Sequence, residues 1–223
     1  SKLLATFNKS YFFGTKTVGE ATEIGYKDNV EENTALSGYV ATIDSEKDYD
    51  FVYGAYVTTS DKTVSTNDNT VVIKTDKATL GEIYGGYASK NGDLQATKGN
   101  TLEVWTQGVK VNSAKNFSNY LFVVPESAIN SDTPMLSVTE AVDMTGASVA
   151  VTVANGVTVA NDDKAILIDK AENASALNGI KALNPSELKK TDETTQYIVK
   201  GGVVSDFTEG DIMLSVKDSQ LIA

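Results

Sequence analysis

The sequence predicts an all-β chain wound as a parallel β-solenoid, and three observations carry that prediction. Val52-Tyr53-Gly54-Ala55-Tyr56 returns as Ile83-Tyr84-Gly85-Gly86-Tyr87, 31 residues later. Asn69-Thr70-Val71-Val72-Ile73 returns as Asn100-Thr101-Leu102-Glu103-Val104 at the same 31-residue spacing. Two motifs that keep one register over one period mark a repeat in which each unit buries its apolar face against a neighbour. The third observation is a succession of short β-branched runs separated by Gly, Asn, Asp and Ser, with only 3 prolines in 223 residues.

The elements follow in order. Phe12-Phe13-Gly14 and Asn33-Thr34-Ala35-Leu36 read as a degraded first copy with altered spacing. The clear repeats occupy about residues 50–116. Within them, coils about 4.8 Å apart would place Tyr53 on Tyr84 and Tyr56 on Tyr87 as aromatic ladders. Asn69 over Asn100 would make an amide ladder at a corner, each side chain bonding to the next coil. Gly54 and Gly85 would mark a bend where a side chain clashes. Asn91-Gly92-Asp93 and Asn155-Gly156 supply turn positions with φ > 0.

After residue 116 the period is lost. Strand runs continue at Leu121–Val124, Val149–Val153, Ala165–Ile168 and Tyr197–Val199. Met135-Leu136-Ser137-Val138 and Met213-Leu214-Ser215-Val216 share four residues, which suggests two strands in similar half-buried settings. Asn184-Pro185-Ser186-Glu187, followed by Lys189-Lys190, predicts one short surface turn of helix. The whole of 1–223 reads as a single solenoid fragment, with irregular C-terminal coils over about 117–223. A 31-residue unit is short for the four strands of a propeller blade, and a sandwich needs no repeated sequence.

Composition narrows the chemistry. The 19 basic residues, against 30 acidic, are all lysine, the net charge is −11, and there is no arginine, histidine or cysteine. That balance argues against a nucleic-acid partner and against adsorption to anionic lipid. It leaves no Ser-His-Asp triad, no Cys-His pair and no ordinary zinc, copper or haem site. Carboxylates, lysine, tyrosine and hydroxyls remain, so a carboxylate-pair glycosidase stays open. No cofactor is expected. No run approaches the ~18 apolar residues of a membrane helix, so no direct membrane insertion of this segment is expected. No basic-then-apolar leader opens it, as in a mature segment or an excised fragment.

The candidate sites each have two readings. Tyr56 and Tyr87, with Tyr53 and Tyr84, offer aromatic faces to a sugar ring or serve as packing ladders. Trp105, the one tryptophan, is a binding anchor if exposed and a packing residue if its strand turns it inward. Asp44, Glu46, Asp48 and Asp50 have the spacing of oxygen ligands to calcium. They lack the glycine and terminal glutamate of an EF-hand loop, so they read as a solvated acidic loop, with no metal site expected. Asn161-Asp162-Asp163 is similar to the paired aspartates of β-helical polygalacturonases. Those enzymes also carry a glycine-histidine-glycine motif and an arginine-lysine pair, which this chain lacks.

Tyr84-Gly85-Gly86-Tyr87-Ala88, followed by Gly99-Asn100-Thr101-Leu102-Glu103-Val104, resembles the repeats in passenger domains of type V autotransporters. Tyr120–Pro125, Met135–Val138 and Val142–Ala147 resemble the later part of such passengers, and the resemblance spans about residues 50–170. It implies a right-handed parallel β-helix, displayed on a Gram-negative outer membrane as an adhesin. It also implies an extracellular location, a host-cell or bacterial surface glycan or protein as partner, and a membrane β-barrel elsewhere in the full-length chain. No catalytic residue is expected on this reading. The alternatives are a carbohydrate-active β-helix using Asp162 and Asp163, and a stalk with no ligand.

Overall fold

The computed structural model describes residues 10–154, 156–160, 162–172, 195–198, 215–217 and 220–223. β-branched side chains are stiff and pack well on a pleated surface, and here they line up coil over coil. Ala41, Val71, Leu102, Tyr120 and Val149 pair in sequence across one sheet, and Ile43, Ile73, Val104, Phe122 and Val151 form a second inward column. Phe12, Val52, Ile83 and Ala114 form a facing column on another sheet. Apart from the half-buried Phe12, these side chains are buried and belong to one continuous core.

The result is a parallel β-solenoid of about five turns. The first sheet stacks Tyr11–Phe13, Tyr49–Tyr53, Leu80–Tyr84, Val109–Lys115, Leu136–Val138 and Ile166–Ile168 in parallel. The second stacks Val40–Ile43, Thr70–Ile73, Thr101–Val104, Asn119–Val124 and Ser148–Val153. A shorter third sheet, Tyr26–Lys27, Tyr56–Thr59 and Tyr87–Lys90, lies around a bend from the first. Behind it sits a smaller core that includes Leu36, Tyr39, Val57 and Val64. Antiparallel strands flank the parallel stacks. Thr15–Val18 and Ala21–Ile24 form a hairpin on the second sheet, and Gln220–Ile222 pairs antiparallel with Ile166–Ile168.

The two cores meet at a waist made of glycine and asparagine. A Cβ on Gly54 would strike the Gly85 carbonyl and lie 3.0 Å from the Asn69 Cβ. On Gly85 it would strike the Asn100 Cβ and come within 2.6 Å of the Asn116 carbonyl oxygen. Only glycine permits that approach. Across the waist Asn100 Oδ1 accepts from the Asn69 N–H at 2.9 Å, and Asn69 Oδ1 accepts from the Tyr39 N–H at 3.1 Å. Asn100 Nδ2 donates to the carbonyls of Thr66, Thr97 and Asn116, each at 3.1 Å. The asparagine ladder therefore runs from side chain to neighbouring backbone, not from amide to amide. Polar turns make the same kind of link. Glu32 accepts from the Thr63 N–H, Asp48 from Thr79, Asn67 from Lys98 and Asp169 from Val138, all across 31 residues.

Several expectations change. Phe12-Phe13 does stand over Val52-Tyr53. Asn33-Thr34, however, aligns with Thr63-Val64, and Tyr39 takes the position equivalent to Asn69. The intervening hairpin displaces the first coil's asparagine from the waist. Beyond residue 116 the stack continues although the echo ends, with Leu136 over Val109 and Ile168 over Leu136. Pairing fixes the strands while loops vary in length at small cost. Ser137 lies within this parallel stack, whereas Ser215 lies in an antiparallel strand, so the two similar motifs have different surroundings. Met213-Leu214, Asn155 and the helical segment 184–190 lie outside the described residues. Among the described residues, no helix is long and apolar enough to cross a membrane.

The waist makes two variants informative. Gly85→Ala should destabilise by about 1–3 kcal/mol or more through overpacking against backbone. Asn100→Ala should cost about 1–3 kcal/mol for each buried partner left unsatisfied. Both should appear in denaturant unfolding as a lower midpoint with an unchanged slope.

Candidate functional site: an aromatic elbow

Alternation along the strands turns Tyr53 and Tyr84 outward while Val52 and Ile83 point into the core. After the glycine bend, Tyr56 and Tyr87 emerge on the adjoining sheet. Because the coils are in register, the rings stack. Tyr53 lies on Tyr84 at 5.0 Å between centroids and 13° between planes, and Tyr56 on Tyr87 at 5.3 Å and 12°. The ladders extend back to Phe13 over Tyr53 and Tyr26 over Tyr56. A third, short ladder places Tyr11 on Phe51. Across the elbow the rings meet edge to face, Tyr53 with Tyr56 at 4.9 Å and 61°, Tyr84 with Tyr87 at 5.9 Å and 79°. Each such pair is worth about 0.5–1.5 kcal/mol beyond its burial.

This geometry bears on what the rings can do. Sugar stacking needs an open ring face. Tyr53 lies between Phe13 and Tyr84, and Tyr56 between Tyr26 and Tyr87, so neither has both faces free. Tyr84 has Lys115 as its next neighbour in register. Tyr87 is the terminal rung of its ladder, since the following strand, Asp93–Leu94, reaches only Ser89 and Lys90. Burial pushes the Tyr53 phenol well up, with Tyr84, Tyr56 and Tyr11 adding to it. Burial also raises Tyr84, whose hydroxyl donates to Glu82 at 2.9 Å. The elbow is an interlocked set of ring edges.

Trp105 lies elsewhere. It follows Thr101–Val104 on the second sheet and is half-buried against Leu121, Val123 and Ala150. Its indole N–H donates to Glu103 Oε1 at 3.0 Å, and Lys74 Nζ sits 4.7 Å from its ring centroid. The structure therefore does not bring Trp105 together with Tyr56 and Tyr87. Position alone in the sequence left its face undetermined.

The carboxylates are used in turns. Asp48 and Asp50 accept from the backbone N–H groups of Thr79 and Ser10 at 2.7 and 2.9 Å, and Glu46 pairs with Lys77 at 3.8 Å. Among the described residues, no group of three or more carboxylates is placed to hold a metal ion. Asp163 accepts from the Ala160 N–H at 2.8 Å and from Asn130 Nδ2 at 2.9 Å. The Ala160 bond, with Asn130 second, holds its carboxyl below the usual range. Asp162 occupies a left-handed turn position with φ 71°.

An alkaline titration checks the elbow. The Tyr53, Tyr84 and buried Tyr120 phenols are raised chiefly by burial. Their contribution to stability is present below the ordinary tyrosine pKa of about 10 and is lost as pH rises toward their native values. Absorbance near the phenolate band should show these rings ionising only together with unfolding. Tyr53→Ala should cost about 3–5 kcal/mol. Tyr84→Phe, which keeps the ring, should cost about 1 kcal/mol.

Comparisons with protein-family models, with curated proteins and with solved structures return no match.

Proposed function

We propose that this chain is a non-enzymatic display scaffold, a passenger-type segment that holds its outer faces toward ligands on a host cell or a neighbouring bacterium. The observation that supports this reading is the division of labour within each coil. Core columns, the glycine–asparagine waist and polar turns carry the coil-to-coil links. Exposed side chains away from the elbow, such as Lys110 and Asn112, are left to vary without disturbing the stack, as in other solenoids that bind through extended surfaces. The resemblance of 84–104 to autotransporter repeats points the same way. That resemblance implies a bacterial cell-surface location and a membrane β-barrel elsewhere in the full-length protein.

The carbohydrate-active alternative meets a specific difficulty at Asp163. A carboxyl general acid needs a raised pKa, and the Asp163 carboxyl is lowered by its own turn. The ladders at Tyr53, Tyr84, Asn69 and Asn100 suit a stalk as well as an adhesin, so binding is the discriminating property. Beads coated with the purified chain should retain host or bacterial cells above albumin-coated beads, and polysaccharides incubated with it should remain intact. Polysaccharide cleavage that disappears in Asp162→Ala or Asp163→Ala would overturn the non-enzymatic reading. Absence of cell retention on every surface tried would favour the stalk.

A further inference from the structure

At the ends of its strands away from the glycine bend, the first sheet carries a groove of about 490 Å³. Its lining comes from the positions beside or within five consecutive strands, from Ser10 through Asp48–Asp50, Thr79–Gly81 and Lys110–Asn112 to Thr139. The groove therefore runs along the stacking axis, across the coils. Gly81 opens it. Leu80 pairs with Tyr49 and Val111, so Asp50 and Asn112 flank Gly81 in the neighbouring coils. A Cβ at Gly81 would strike the Asp50 carbonyl oxygen, so the close approach of these two coils and the missing side chain go together.

We propose that this groove binds a neutral oligosaccharide lying along the solenoid axis. The inference rests on the display-scaffold reading and gives it a ligand class and a place. Three features select that class. Tyr49–Tyr53, Leu80–Tyr84, Val109–Lys115 and Leu136–Val138, beneath most of the groove, are each paired on both sides, which leaves a peptide no edge to join there as a strand. Side chains line it instead, and they offer both acceptors and donors. Asp48 and Asp50 each commit one carboxylate oxygen to a backbone N–H, and a carboxylate has a second. The exposed Lys110, Asn112 and Thr139 supply an ammonium, an amide and a hydroxyl. Such a mixture matches a chain of hydroxyl groups. The coil repeat of about 4.8 Å is close to the length of one sugar unit, so successive residues of a linear glycan meet equivalent positions on successive coils. Asp48, Asp50 and a net charge of −11 oppose a polyanion.

The test is a heteronuclear NMR titration of the full chain with cellotetraose, maltotetraose and xylotetraose, and with a sulfated heparin tetrasaccharide as the polyanion. At least one neutral tetrasaccharide should shift the amides of Thr79, Gly81 and Asn112. The sulfated one should not. Asn112→Ala and Lys110→Ala should each weaken that binding about tenfold, the loss of one hydrogen-bonded contact, with unfolding midpoints unchanged. Failure of all three neutral tetrasaccharides to shift these amides would overturn the proposal. So would preference for the sulfated tetrasaccharide, or binding that survives both variants. Binding that disappears in Trp105→Phe or Tyr87→Phe instead would overturn the groove while leaving the display scaffold standing. Cleavage of a bound tetrasaccharide would contradict the scaffold reading itself.

Discussion

Everything in this structure depends on how closely one coil can approach the next at the waist. Gly54 and Gly85 let the backbone of one coil lie against the backbone and Asn Cβ of its neighbours. That proximity brings the amides of Asn69 and Asn100 within reach of backbone groups that would otherwise be buried without partners. An unsatisfied buried polar group costs about 1–3 kcal/mol. At Gly54 with Asn69 and Gly85 with Asn100 the waist therefore uses glycine and asparagine together. Once it is fixed, the register of every other position follows, because parallel pairing leaves no freedom to slip one strand alone.

The aromatic ladders are a consequence of that register. Identical side chains at a fixed period must stack when the coils do, and the bend at Gly54 and Gly85 turns the two tyrosine columns toward each other. The edge-to-face contacts across the elbow then stiffen the bend from outside while the asparagines hold it from inside. Away from the elbow, Asp48 and Asp50 link their coil to its neighbours through backbone N–H groups. The groove runs past Gly81, which Asp50 and Asn112 flank in the neighbouring coils.

Residues that repeat were legible in the sequence, and residues whose role depends on a neighbouring coil were less so. Tyr53 with Tyr84, Tyr56 with Tyr87 and Asn69 with Asn100 could be paired from spacing alone. Asn91-Gly92 could be read as a turn, and the pair has φ of 52° and 83°. Asn33 could not be registered correctly, because the Thr15–Ile24 hairpin inserts length between the first strand and the waist. The continuation through Leu136 and Ile168 was hidden for the same reason, since stacking tolerates loop changes that erase sequence periodicity. Trp105 gave no sign of its face, which is set by Glu103 and by Leu121 and Ala150 in the two following coils. The groove left no motif, being lined by residues drawn from five coils.

The central claim is that the glycine–asparagine waist locks coil to coil. Native-state hydrogen exchange reads it directly, because the Asn69 N–H donates to Asn100 Oδ1 and the Tyr39 N–H to Asn69 Oδ1. Both amides should exchange as slowly as the core amides of Val71 and Leu102, opening only with global unfolding. Fast exchange at Asn69 and Tyr39 while Val71 and Leu102 stay protected would show that the waist opens locally, and would contradict the account.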